Sequence, residues 1–204
     1  MTAPLIHLAE HGALTDDERR LIHRTVRNGG LIVFPTDTIY GLGCDAFQSG
    51  AIDRIYRLKD RRSDQSLSVH LKSVQELGRY AEIGDDQWAR IERLLPGPYT
   101  VILTATRDAP PRCTGPDGRI GLRVPEGSAY RAVSEAAGCP LVGTSVNRSG
   151  EPPLNDIGVI REQFGDELDL ILASDTPLSG TGSTVIDLTV EPPVALRGEL
   201  PREL

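Results

Sequence analysis

The sequence predicts an α/β fold in which helices pack on a mixed sheet. Eight short β-rich runs are interleaved with six helix signals. The interleaving is uneven, with strand following strand in the middle and at the end, which disfavours a regular parallel doubly wound sheet. The 204 residues, 39% hydrophobic and 25% charged, are enough for one sizeable core without repeat or linker, so one domain over 1–204 is expected.

The elements follow in order. Thr15 and Glu18 form a capping box, Leu21, Ile22 and Val26 make an apolar stripe, and Asn28-Gly29-Gly30 stops this first helix. The apolar run Leu31–Phe34 reads as a buried strand ended by Pro35. A helix over Ala51–Leu58 buries Ile52, Ile55 and Tyr56, and Leu67–Leu71 alternates as a strand. Ser73 with Glu76 opens a short third helix, and Asp85–Leu95 is a fourth, closed by Pro96-Gly97-Pro98. Strands Tyr99–Ala105 and Ile120–Val124, helix Ala129–Ala137, strand Leu141–Gly143 and helix Asp156–Phe164 come next. Strands Leu170–Ala173, Thr184–Leu188 and Val194–Arg197 complete the set.

Composition excludes several function classes. No apolar run nears the roughly 18–20 residues that cross a bilayer, and MTAPLIHLAEHG lacks a secretory pattern, so a cytoplasmic location with no membrane contact is expected. Cys44, Cys113 and Cys139 are odd in number and lack CxxC spacing, which argues against disulfides or zinc. His7 and His11 are four apart without the HExxH pattern, so no protein metal site is expected. A net charge of −7 disfavours broad binding to nucleic acid. Gly41, Gly43 and Ala46 match G-x-G-x-x-A formally, but PTDTIY separates them from the strand, so the dinucleotide fingerprint is rejected. No GxxxxGK[ST] occurs, and GTSVN lacks the second glycine of a nucleophile elbow.

What remains is a set of polar loops at strand ends. LIVFPTDTIYGLG places Thr36, Asp37 and Thr38 at the mouth of a buried strand, where open α/β sheets bind ligands. Only two of the 22 basic residues are lysines, and Lys59 begins KDRR at a helix end. Alternation sets Leu67, Val69 and Leu71 on one face of a strand, with Ser68 and His70 on the other. PLVGTSVNRSGEPP carries Ser145 and Asn147 out of a strand, and SGTGSTVIDL is a hydroxyl- and glycine-rich loop that can turn N–H groups toward an anion. Each has an ordinary explanation alone, as a turn, a helix-end cation or a strand-surface histidine. Together with Lys59, Arg61, Arg123 and Arg197 they describe a site for a polyanion plus a small polar molecule.

The ordered motifs FPTDTIYGLG, KDR, SVH, GLRVP, TSVNRSGEPP, STVIDL and ALRG resemble the YrdC-type threonylcarbamoyl-AMP synthases from about Gly30 to Gly198. The resemblance implies a twisted mixed sheet with a large concave face. It implies a nucleotidyltransferase that joins L-threonine, bicarbonate or CO2, and ATP with Mg²⁺ into threonylcarbamoyl-adenylate and pyrophosphate, for modification of an adenosine beside the tRNA anticodon. A tRNA-modifying transferase protein would take the product. Residue by residue, it implies that Lys59 and Arg61 act at the triphosphate and that Thr38, His70, Arg123, Ser145 and Ser183 hold threonine. Arg61, Gln65, Asn147, Asn155 and Arg197 would contact ATP. Arg123 is the expected partner of the threonine carboxylate, through two parallel hydrogen bonds.

The chain departs from the pattern at Asp60-Arg62, at Gln65-Ser66 where Asn-Pro is common, and at Arg119 where a small hydroxyl residue is usual. It ends soon after Arg197, so the extra C-terminal domain of longer members is expected to be absent. The alternative reading is a fold relative with weak or no synthase activity that binds nucleotide or RNA.

Overall fold

The computed structural model describes residues 2–9, 12–60, 62, 66–202 and 204. Among them the chain forms β1 (Leu5–Leu8), α1 (Asp16–Arg27), β2 (Ile32–Phe34), β3 (Gly41–Gly43), α2 (Ser49–Leu58), β4 (Ser68–His70), α3 (Leu77–Tyr80), β5 (Ala81–Glu82) and α4 (Asp85–Leu94). The second half adds β6 (Tyr99–Ala105), β7 (Arg119–Arg123), α5 (Ser128–Ala137), β8 (Leu141–Ser145), α6 (Ile157–Phe164), β9 (Leu170–Ser174), β10 (Thr184–Asp187) and β11 (Val194–Arg197). No described helix is long and apolar enough to cross a membrane.

All the strands join one sheet, in the order β1-β9-β2-β3-β8-β4-β7-β6-β10-β11, with β5 paired to β6. The β1–β9, β9–β2, β4–β7 and β6–β10 pairs are parallel. The remaining pairs are antiparallel. The sheet is therefore mixed, as the uneven order of elements predicts.

Alternation along the strands divides the core in two. Leu31, Val33, Val69, Val101, Leu103 and Leu122 point into the larger cluster, under Ile52 and Ile55 of α2, Ile91 of α4 and Phe164 of α6. Ile6, Ile32, Phe34, Leu170 and Leu172 point the other way, under Ile22 and Val26 of α1 and Tyr130 and Val133 of α5. The helices of this second face cover the β1-β9-β2 end of the sheet and Leu141 of β8, and beyond them the face carries mainly polar side chains.

Local signals explain the helix ends. Thr15 Oγ1 accepts from the Glu18 amide at 3.3 Å, and Glu18 Oε2 accepts from the Thr15 amide at 2.8 Å. The capping box opens α1 as read from the sequence. At the third helix, Glu76 Oε2 takes the Lys72 amide at 3.2 Å, and a 3-10 turn over Val74–Glu76 precedes α3.

Three strands were not predicted. β1 and β5 are short, and β3 has the sequence Gly-Leu-Gly, opposite to strand propensity. β3 is a central ladder, with Phe34 opposite Gly41 on one side and Gly41 opposite Ser145 on the other. Its glycines answer to steric need. A Cβ on Gly43 would lie 2.0 Å from the Val142 carbonyl oxygen and 2.8 Å from the Phe34 ring. Only a bare backbone fits there.

Candidate active site

β2 stops at Pro35, and the polar turn after it satisfies itself. Thr36 Oγ1 donates to the Ile39 carbonyl at 2.7 Å and accepts from the Thr38 and Ile39 amides at 3.1 and 3.2 Å. With that proton committed, the Thr38 hydroxyl is the donor in its 2.9 Å contact with Thr36. β7 delivers Arg123 to the same place. Arg123 Nη2 donates to Asp37 Oδ1 at 2.5 Å and to Thr38 Oγ1 at 2.9 Å, while Nε donates to the Gly97 carbonyl at 3.3 Å. Arg123 is 3% exposed, and a guanidinium so buried needs a counter-charge. Asp37 supplies it, which is why a carboxylate stands at the mouth of this strand. Burial pulls the Arg123 pKa down from its ordinary value and Asp37 opposes that fall.

Next along the sheet, the His70 ring lies against Gly143. A Cβ on Gly143 would meet ring atoms of His70 at 2.2 to 2.4 Å. Phe34 and Tyr130 both meet the imidazole edge-on, with ring centroids 6.0 and 5.9 Å away. Burial, helped by nearby Arg123, holds the His70 pKa well below its ordinary value, so the ring is neutral at pH 7. His70 Nδ1 and Tyr130 Oη are buried without a hydrogen-bond partner among the described residues.

The loop after β8 is fixed from behind. Lys59, 2% exposed at the end of α2, directs Nζ to the Ser145 carbonyl at 2.5 Å, the Asn147 carbonyl at 3.1 Å and Asn147 Oδ1 at 2.7 Å. Asn147 Oδ1 also accepts from Ser145 Oγ at 2.6 Å, and its Nδ2 donates to the Glu151 carbonyl at 2.5 Å. On the far wall Ser183 Oγ pairs with Thr100 Oγ1 at 2.9 Å, and Arg197 grips Ser183 through its carbonyl at 2.9 Å and its hydroxyl at 3.0 Å. Asn155 Oδ1 accepts from the Tyr40 amide at 3.2 Å, tying the same loop to the start of β3.

These groups surround a cavity of about 650 Å³ on the open part of the sheet face. That volume suits a small-molecule ligand. His70, Arg123, Ser145, Ser183 and Arg197, all expected from the sequence, line it together. Thr38 sits one hydrogen bond behind, on Arg123. Lys59, Asn147 and Asn155 act through the loop that carries Ser145 and are not on the lining. Arg61 and Gln65 lie outside the described residues. The two-pronged grip expected of Arg123 is narrowed, because Nη2 and Nε already bond Asp37, Thr38 and Gly97. Thr100 and Tyr130 were missed. The alternation Thr100–Ile102 against Val101–Leu103 could have revealed Thr100, but nothing local marks a helix tyrosine whose hydroxyl ends without a partner.

The profile of the Sua5, YciO and YrdC proteins, described as telomere recombination, matches residues 24–198. The chain belongs to the Sua5/YciO/YrdC family. It is 35% identical over 180 residues to a threonylcarbamoyl-AMP synthase of Pyrococcus abyssi, covering 87% of this chain and 53% of the relative. The chain thus spans about half the length of that relative. The crystal structure of P. abyssi Sua5 complexed with L-threonine superposes with a TM-score of 0.87 at 32% identity, over 95% of this chain and 56% of that one. E. coli YciO superposes with a TM-score of 0.84 at 31% identity, over 97% of this chain and 95% of YciO. The twisted mixed sheet is therefore the Sua5/YciO/YrdC fold, and the cavity occupies its concave face.

Proposed function

We propose that this chain is a threonylcarbamoyl-AMP synthase, a nucleotidyltransferase that makes threonylcarbamoyl-adenylate and pyrophosphate from L-threonine, bicarbonate or CO2, and ATP. The observation that carries the reading is the convergence of Arg123, His70, Ser145, Ser183 and Arg197 on one cavity in a family whose P. abyssi member has been crystallised with L-threonine.

The chemistry needs an uncharged threonine amine, which either adds to the carbon of CO2 with loss of one amine proton or displaces water from bicarbonate, giving a carbamate in both cases. A carbamate oxygen then attacks the α-phosphorus of ATP, and pyrophosphate leaves with the electron pair of the broken P–O bond. Arg123 meets the threonine carboxylate with Nη1, the nitrogen that makes none of the bonds to Asp37, Thr38 or Gly97. Neutral His70 and the hydroxyls of Ser145 and Ser183 offer polar partners to the amino acid without adding charge. A pocket that hydrogen-bonds the threonine hydroxyl rejects analogues lacking it, because its own groups are then left unpaired. Arg197 gives the far wall a positive charge for the nucleotide, and Lys59 with Asn147 holds the loop shape on which Ser145 depends. Catalysis of this kind is mostly positioning and charge stabilisation.

Among the described residues no group of three or more His, Cys, Asp or Glu could hold a metal ion. Mg²⁺ would enter on the nucleotide, held mainly by phosphate oxygens, and would share their charge during transfer. A tRNA-modifying transferase would consume the adenylate, whose mixed anhydride is an activated carbamoyl donor.

The test is pyrophosphate release from ATP and Mg²⁺, with and without L-threonine and bicarbonate. Release that requires both supports the synthase. A second reading, a nucleotide- or RNA-binding relative without synthase activity, rests on the departures from the synthase pattern at Asp60, Arg62, Gln65, Ser66 and Arg119. No release, with ATP or RNA still bound, would decide for it.

A further inference from the structure

The end of α2 and the loop after β8 hold one another from both sides. Lys59 Nζ reaches forward to the Ser145 and Asn147 carbonyls and to Asn147 Oδ1. The loop reaches back with two bonds of its own. The Ser149 amide donates to the Lys59 carbonyl at 2.7 Å, and Arg148 Nη1 donates to the Leu58 carbonyl. These carbonyls belong to the last turn of α2, which has no later helical amide to satisfy them. Arg148 is itself fixed. Its Nη2 meets Glu167 Oε1 at 2.7 Å, and its guanidinium carbon lies 4.9 Å from the centroid of the Phe164 ring at the end of α6.

We infer that Arg148 is a positioning residue for the cavity, acting through the end of α2 on Ser145. The route is continuous: Arg148 to the Leu58 carbonyl, along the backbone to Lys59, from Lys59 Nζ to Asn147 Oδ1, and from there to Ser145 Oγ on the cavity wall. Arg148 does not line the cavity. Glu167 is the clamp that keeps its guanidinium planar against Phe164 and aimed at α2, a task a lysine performs poorly because its charge has no fork.

The ion pair itself stands at the surface, with side chains 39% and 44% exposed. Such pairs add little to global stability. Arg148 therefore separates positioning from folding, which is what makes the role testable. The inference rests on the synthase reading for its kinetic consequence and on the structure alone for its structural one.

The experiment compares wild type with Arg148→Ala, Arg148→Lys and Glu167→Ala. It measures threonine- and bicarbonate-dependent pyrophosphate release, thermal unfolding, and amide hydrogen exchange in segments 55–60 and 145–151. The expected result for Arg148→Ala is a kcat lower by about tenfold or more, since small misplacement of a reacting group costs up to about a hundredfold. Tm should move by less than about 4 °C, with faster exchange in both segments. Arg148→Lys should recover only part of kcat, and Glu167→Ala should fall between Arg148→Ala and wild type. An Arg148→Ala enzyme within twofold of wild-type kcat overturns the inference. If Arg148→Ala does not fold, folded Glu167→Ala with wild-type kcat and exchange overturns it instead. A wild type that releases no pyrophosphate defeats the synthase reading, and the inference then stands or falls on whether exchange rises in the two segments.

Discussion

One face of this sheet is treated in two ways. Toward β1, β9 and β2 it is covered by α1 and α5, and its residues are Ile6, Ile32, Phe34, Leu170 and Leu172. Toward β4, β7, β6 and β10 it is open, and the same alternation brings out Ser68, His70, Arg123 and Thr100. The difference shows what makes a cavity here. The polar residues are not a poor core, because most are paired: Arg123 with Asp37, and Ser183 with Thr100 and Arg197. The opposite face remains apolar throughout, so the sheet stays anchored while half of one side is left for a ligand.

Glycine substitution separates the two halves most sharply. Gly43 lies against the Phe34 ring of the covered half, and an alanine there meets the Val142 carbonyl, a backbone atom that cannot move aside. Gly43→Ala should cost about 3 kcal/mol or more, the upper range of overpacking, read from chemical denaturation midpoints. Gly143 lines the cavity, and the atoms nearest an added Cβ there belong to the His70 ring, a side chain rather than backbone. Gly143→Ala should lose affinity for threonine while unfolding at a temperature nearer wild type. Equal losses of stability in the two variants would erase the distinction between the halves.

Lys59 is the next largest expectation. Lys59→Met keeps most of the side-chain volume but abandons the Ser145 carbonyl, the Asn147 carbonyl and Asn147 Oδ1. Leaving buried acceptors unpaired costs about 1–3 kcal/mol. Pyrophosphate release should fall by up to about a hundredfold, the cost of a small misplacement of groups at the reacting centre. Unchanged release would detach Lys59 from the site.

The pH dependence of stability follows from His70. Its pKa in the folded protein lies well below the ordinary value near 6.5, so only the unfolded chain takes up this proton as the pH falls below about 6.5. The contribution is fully present above that value and is lost on acidification, by up to about 1.4 kcal/mol per pH unit. His70→Gln should flatten the stability curve between pH 7 and 5 relative to wild type. Parallel curves would mean that the ring titrates alike in both states.

The sequence made the apolar half legible and the polar half only partly so. Strands such as Tyr99–Ala105 and the capping box at Thr15 announce themselves because their signals are local, in period or in spacing. β3 did not, because Gly41 and Gly43 look like a turn until Phe34 and β8 are seen on either side of them. His70, Arg123, Ser145, Ser183 and Arg197 come together on one cavity, but a motif carries no direction. Lys59 reads as a cation for phosphate, and only the fold turns it toward Asn147. Arg123 reads as a free guanidinium, and only the fold gives it Asp37, 86 residues away in sequence.

The smallest effect lies on the boundary between the halves. Tyr130 belongs to α5 and to the covered core, yet its hydroxyl is buried without a partner among the described residues, as is Nδ1 of the His70 ring it packs against. A phenylalanine would keep the ring contacts with Phe34 and His70 and remove the orphaned oxygen. If the hydroxyl does nothing, Tyr130→Phe should be neutral or stabilising by about 1 kcal/mol, the lower end of the cost of a buried unsatisfied polar group. Threonine-dependent kinetics should then be unchanged. If stability rises while the threonine KM also rises, the tyrosine is retained at a stability cost for the open half of the face, and the boundary between core and cavity runs through its oxygen. A fall in stability would mean that the hydroxyl already has a partner in solution, with ordered water between Oη and Nδ1 the simplest one.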